Sequence, residues 1–217
     1  EEKIKAGETI IIGTCSPRRE EMAIGFLKKA LPQLSSEIKI EVKSIRGNVE
    51  SRLKQLDEKR YDGTILATAG LNRLLKRPHL NPPLRGGLVN TPIEENNLSN
   101  QKIIRQLLSD KKLMLLPLIE CVPAPCQGAI VAEADPHNSA TVELLQKINN
   151  NDLFEEAYKE KSEARKYGTG CLQKFGVTTL HTSNGNILYA AGKDTNGKTF
   201  QRWYGLPELN IDEDKLF

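Results

Sequence analysis

The sequence has no run approaching the roughly 18 consecutive apolar residues that a membrane-spanning helix requires, which argues against a membrane role. Cysteine is scarce: Cys15, Cys121, Cys126 and Cys171 include no Cys-x-x-Cys pair. They are too sparse for a disulfide scaffold and point to a reducing cytoplasm. The histidines, His79, His137 and His181, lack the ligand spacing of a zinc site, so no metal is expected. Aromatic residues make up 5% of the chain, and Lys plus Arg exceed Asp plus Glu only by 31 to 28. There is thus little stacking surface and little bulk positive field for nucleic acid. The chain opens on Glu1-Glu2-Lys3, without an initiator Met or the basic and apolar regions of a signal peptide. It reads as a processed chain or a fragment. No internal repeat and no low-complexity tract is present.

What remains is a length of 217 residues with ordinary globular composition, enough for two modest domains. Ile10-Ile11-Ile12 is a short β-branched run that stops at Gly13 and reads as a buried strand. Ser16 as N-cap and Pro17 at the first helical position then begin a helix with Ala23, Phe26, Leu27, Ala30 and Leu31 on one face, ending at Pro32. The pattern recurs. Ile38, Ile40 and Val42 alternate as a second strand, Gly47 turns, and Asn48 caps a helix with Val49, Leu53 and Leu56. Gly63 to Ala67 predicts a third strand and Gly70 to Leu75 a third helical start. Strands alternating with helices over short connections imply a parallel sheet, whose ligands gather beyond the strands' C-terminal ends.

Residues 76–100, rich in Pro, Asn and Gly, predict a long irregular connection. A helix from Asn100 to Leu108 leads into an apolar stretch, Leu113 to Ile119, and then into a segment with Pro123 and Pro125 that reads as a crossing between domains. Helices are expected over Ser139 to Ile148 and from Leu153 to about Lys166. Beyond them, Gly176 to Thr182, Asn186 to Gly192 and Lys198 to Tyr204 alternate as strands. Asn184-Gly185 and Asn196-Gly197 are turn signals between them, giving a small antiparallel sheet.

The arginines carry the chemical signal. Arg18 and Arg19 fall in the first turn of a helix, where free backbone N–H groups already favour an anion, and Thr14 and Ser16 add hydroxyls. Arg46 and Arg52 flank the next strand-to-helix turn, and Arg73 follows the third. Any one of them alone reads as a solvated surface residue. Five arginines after successive strand ends read as a polyanion cleft, and a planar guanidinium fork suits carboxylate and phosphate alike.

These stretches resemble the porphobilinogen deaminase (hydroxymethylbilane synthase) family. Gly13 to Arg19 is similar to the family's G-T-S-S-x-R-R, Arg46 to Arg52 to R-G-N-V-x-x-R, and Leu66 to Arg73 to L-A-x-A-G-L-x-R. Pro123 to Ala129 matches P-A-x-x-Q-G-A, and Gly170-Cys171 matches the cofactor cysteine after a glycine. The resemblance runs from about residue 8 to 180. It implies a cytoplasmic transferase of tetrapyrrole (haem) biosynthesis. Such an enzyme condenses four porphobilinogen units head to tail, with release of ammonia, on a dipyrromethane primer tethered by a thioether to Cys171. By the same resemblance Thr14, Ser16, Arg18, Arg19, Arg46, Arg52, Leu66, Ala67, Gly70, Arg73, Gln127 and Gly128 hold primer and substrate. Porphobilinogen and polypyrrole intermediates are the implied partners.

The expected architecture is α/β. It comprises a parallel-sheet layer sandwich of the periplasmic-binding-like type over 1–98 and a crossover over 99–137. A C-terminal α+β domain with a three-stranded antiparallel sheet, carrying the cofactor cysteine, spans 138–217. Some positions depart from the family pattern. Cys15 stands for a usual Ser, Pro17 for Leu and Cys126 for Gly, while Leu172-Gln173-Lys174 lacks the usual Gln and Pro after the cysteine. The family's N-terminal domain, with its catalytic aspartate, has no counterpart, and no catalytic residue is identified; Glu20, Glu21 and Asp62 read as exposed or capping acids. The run Leu113 to Val131 should accordingly lack cover, to be supplied by a separate segment, another polypeptide or self-association. The alternative to the enzyme is a non-catalytic polycarboxylate-binding α/β module derived from this family.

Overall fold

Three successive β-branched isoleucines resist helix and favour a pleat, and they form β1 (Ile10–Gly13) at the centre of a sheet. A computed structural model of the chain describes residues 1–34, 37–75, 101–168, 170 and 172–205. By its contacts the chain falls into two units. One comprises Glu1–Cys15 with Ile24–Leu115, the other Ser16–Ala23 with Leu116–Phe217.

In the first unit a short helix, α1 (Glu2–Lys5), buries Ile4 ahead of β1. Parallel β2 (Ile40–Lys43) and β3 (Gly63–Thr64) flank β1 in the order β2-β1-β3. The register pairs Ile10 with Ile40, Ile12 with Val42 and Gly13 with Thr64. Helix α2 (Pro17–Ala30) passes from the second unit to the first after Ala23. Helices α3 (Val49–Asp57), α4 (Thr68–Leu75) and α5 (101–108) follow. The buried apolar residues are Ile4, Ile12, Leu27, Ile38, Ile45, Leu53 and Ile104. The third strand is shorter than the Gly63 to Ala67 expected, because only Ile12 and Gly13 pair with it before β1 ends. Ile65 N–H still reaches the Gly13 carbonyl, at 3.4 Å, and α4 then starts at Thr68, two residues early.

Asn48 caps α3 as its sequence suggests: its Oδ1 accepts from the Ser51 N–H at 2.8 Å. The preceding Gly47 is required by geometry. Its φ is +109°, and a Cβ there would lie 2.8 Å from the Ser51 Cβ.

In the second unit α6 (Ser139–Ile148) and α7 (Asn151–Ala164) precede an antiparallel sheet of β4 (Lys174–Thr182), β5 (Gly185–Lys193) and β6 (Thr199–Gly205), in that order. The three-stranded antiparallel sheet expected from alternation is therefore present, and with the parallel sheet it makes the chain α/β. Ala164, Phe175, Val177, Leu188 and Ala190 form its core, with Tyr167, Phe200 and Tyr204 packed alongside. Tyr167 stacks on Phe200 at 3.9 Å between ring centroids, and Tyr189 lies 4.0 Å from Trp203. Gly176 admits a close neighbour: a Cβ there would sit 2.4 Å from the carbonyl oxygens of Val122 and Pro123. The Val177 N–H accordingly reaches the Pro123 carbonyl at 3.1 Å.

Residues 111–138, which include the expected crossing segment, form turns and irregular chain without a strand. Pro117, Pro123 and Pro125 remove backbone donors, and a strand needs a paired edge to persist. Val122 is buried there, but most of the large apolar side chains around it are open, with Leu115 81% and Val131 78% exposed. Residues 76–100, where a long connection is expected, lie outside the described residues. No described helix is long and apolar enough to cross a membrane.

Candidate functional site

Because β1, β2 and β3 run parallel, the segments that follow them leave one edge of the sheet. In the first unit that edge carries Thr14 and Cys15 after β1, Arg46 and Arg52 around the β2-to-α3 turn, and Leu66, Ala67, Gly70 and Arg73 after β3. Thr14 is buried, and its N–H donates to the Lys43 carbonyl at 3.1 Å. The Cys15 thiol donates to the Ile45 carbonyl at 2.6 Å and lies 3.1 Å from the Ser44 hydroxyl, tying the first turn to the second. Arg52 Nε donates to the Gly47 carbonyl at 2.9 Å, and Arg46 and Arg73 are exposed. Leu66, Ala67 and Gly70 are half-buried.

The second unit holds the other group. Ser16 caps α2, its hydroxyl accepting from the Arg19 N–H at 3.4 Å and its carbonyl from the Glu20 N–H at 2.9 Å. Pro17 at the first helical position costs nothing there, since that N–H has no helical partner. Arg18 is only 7% exposed. Its guanidinium donates to the Val122 carbonyl and, at 3.4 Å, to Gln127 Oε1. Both acceptors are neutral, and among the described residues no carboxylate pairs with it. Burial pushes its pKa down to about 10, and the like charge of Arg19 adds to the effect. Burial likewise pushes the Cys121 thiol up, while Arg18 and Arg19 pull it back. Gln127 and Gly128 are exposed in the turn over 125–128. A buried guanidinium with no counter-ion among the described residues, beside a second arginine and a helix N-terminus, favours an arriving anion.

Cys171, the expected attachment point, lies outside the described residues. The Tyr167 hydroxyl, ahead of it, donates to Glu163 Oε1 at 2.9 Å and sits 3.2 Å from the Tyr204 hydroxyl. Gln173, beyond it, donates from Nε2 to the Gly168 carbonyl at 2.9 Å. Of the acids near the motifs, Asp62 accepts from Lys3 Nζ and from the Ile11 N–H, each at 2.8 Å. Glu21 pairs with Lys193 at 2.5 Å, and Glu20 is exposed. Sequence reasoning missed Glu160, a buried carboxylate on α7 that accepts the N–H groups of Cys126 and Thr179. The available signal was an acid between Ala157 and Ala164 on the helix face turned to the sheet.

Residues 2–143 match the family described as "Porphobilinogen deaminase, dipyromethane cofactor binding domain". A protein of Pyrobaculum islandicum named "Probable porphobilinogen deaminase" is 27% identical over 190 residues, which span 88% of this chain and 50% of that protein. One of the same name from Methanocaldococcus jannaschii is 24% identical over 204 residues, 94% of this chain and 55% of the relative. Another, from Saccharolobus islandicus, is 28% identical over 194 residues, 89% and 51% respectively. The chain thus spans about half the length of the curated relatives it matches. A polycarboxylate such as dipyrromethane also fits the donor set at Arg18, where positive charge is buried without a carboxylate among the described residues. With a family match over most of its length, this chain belongs to the porphobilinogen deaminase family.

Proposed function

We propose that the chain supplies the arginine-lined and primer-bearing part of a hydroxymethylbilane synthase. That enzyme joins four porphobilinogen units head to tail, with release of ammonia, in cytoplasmic tetrapyrrole (haem) biosynthesis. The observation that carries the reading is Arg18, a buried guanidinium whose acceptors are neutral oxygens, in a chain matching a dipyrromethane-binding family. A carboxylate docking on it gains a charge-assisted bond and places a negative charge beside a buried guanidinium that has only neutral acceptors among the described residues.

In this reading Arg18 and Arg19 grip acidic side chains of the bound group, with Ser16, Gln127 and Gly128 beside them. In the first unit, taken by itself, Thr14, Arg46, Arg52 and Arg73 along the sheet edge hold carboxylates of primer or substrate, with the half-buried Leu66, Ala67 and Gly70 beside them. Cys171 forms the thioether tether. When bound, dipyrromethane supplies the terminal pyrrole onto which porphobilinogen is condensed. The arginines stay protonated throughout, so their part is to neutralise and orient rather than to move protons. No catalytic acid is assigned to this chain, since Asp62 is held by Lys3 and the Ile11 N–H. The proposed division is a cleft over 1–98, a crossover over 99–137 and a cysteine-bearing domain over 138–217.

The test is the intact mass of the full chain after incubation with porphobilinogen, beside a Cys171→Ser variant, with ammonia release measured in parallel. An added dipyrromethane mass that the variant lacks is the expected result. No added mass and no binding would overturn the reading. Reversible binding without added mass or ammonia would make the chain a non-catalytic polycarboxylate-binding module of the same family.

A further inference from the structure

Cys126 has φ +60°, in the left-handed region that residues with a Cβ avoid, in the turn next to Gln127. Something must hold it there. Three contacts do so, all from α7 or from the turn itself. The Cys126 N–H donates to Glu160 Oε2 at 2.7 Å. The Cys126 thiol donates to the Ala157 carbonyl at 3.1 Å, and burial, followed by the charge of Glu160, raises its pKa and keeps it protonated as a donor. The Ala129 N–H closes the turn onto the Cys126 carbonyl at 3.1 Å.

Glu160 is only 9% exposed, and its other oxygen, Oε1, accepts the Thr179 N–H of β4 at 2.6 Å. Its two carboxylate oxygens therefore meet two backbone donors on different segments. A carboxylate suits this arrangement because both of its oxygens only accept; an amide would turn an N–H₂ toward one of the donors. The next residue in the turn, Gln127, faces Arg18 Nη2 at 3.4 Å.

We infer that Glu160 is a positioning residue. It pins Cys126 in its left-handed conformation and so presents Gln127 to Arg18, setting the shape of the anion site from a helix that carries none of the proposed binding residues. The inference rests on the carboxylate-site reading for its functional consequence, while the conformational claim stands by itself.

Glycine at 126 would adopt φ +60° without help, and this supplies a rescue. In the full chain, Glu160→Gln should shift the Cα and Cβ resonances of residue 126 away from left-handed values and weaken porphobilinogen binding by about tenfold, as the competent turn becomes a minor state. The double variant Glu160→Gln/Cys126→Gly should bring the Gln127 amide resonance back to its original position and return the dissociation constant to within about threefold of the parent. Unchanged residue-126 resonances in Glu160→Gln would overturn the inference. So would a double variant that stays as impaired as the single one, because Glu160 would then act through Thr179 and the sheet. Should Glu160→Gln not fold, recovery of a folded chain on adding Cys126→Gly supports the pin, and continued failure to fold overturns it. If the unaltered chain binds no porphobilinogen, the carboxylate-site reading fails, while the resonances still decide what Glu160 does.

Discussion

Arg18 sets function against stability at a single residue. Its charge is buried among neutral acceptors, so replacing it with an apolar side chain of similar length removes a desolvation cost. Arg18→Met should leave the melting temperature unchanged or higher while lowering porphobilinogen affinity at least about a hundredfold. Calorimetry and titration on one preparation check both halves. Glu163 behaves in the opposite sense. Burial opposes its ionisation, yet hydrogen bonds from Lys166, Tyr167 and Tyr204 outweigh that and hold its pKa below the ordinary carboxylate range. A depressed folded-state value means the stabilisation is fully present above the ordinary range and drains away as the pH falls through the lower one. Thermal melts of the parent and Glu163→Gln should differ near neutrality and converge in acid. The arginines were legible in sequence because at least one follows each strand of the parallel sheet. Glu160 and Glu163 were not, because a helical glutamate reads as a surface residue until its distant partners, Thr179 for one and Tyr204 for the other, are placed.

Among the elements, those with local instructions were read correctly. Helix α3 has its cap, Asn48, and its obligatory Gly47 written beside it, and the hairpin strands β4 and β5 alternate around a tight turn. Asn48→Ala should cost about 1 kcal/mol in chemical denaturation. The extent of β3 falls short of the expected Gly63 to Ala67, because strand length is set by the partner available and not by the strand's own residues. Gly176 shows the same dependence on distant chain. Nothing around it in sequence announces that the carbonyls of Val122 and Pro123 occupy the space of its missing side chain. Gly176→Ala should destabilise by about 2 kcal/mol, well beyond the usual penalty-free range for glycine replacement in a strand, and should expose the Val177 amide to hydrogen exchange.

At the scale of the whole chain, the split into two units crosses the order of the sequence, since Ser16–Ala23 groups with the later half. Sequence patterns locate a helix but cannot say which residues it will serve, and the ion pair of Glu21 with Lys193 joins positions far apart in the chain. The Tyr189–Trp203 pair has an optical consequence. Trp203 is the chain's single tryptophan and lies in the antiparallel sheet, with its indole nitrogen buried. Excited at its red edge, intrinsic emission is therefore a private reporter of the second unit, whereas circular dichroism near 222 nm sums the helices of both. Should the two units melt independently, the emission and ellipticity midpoints in urea will separate, and a carboxylate ligand held by Arg18 and Arg19 will move the emission midpoint whether or not ellipticity follows.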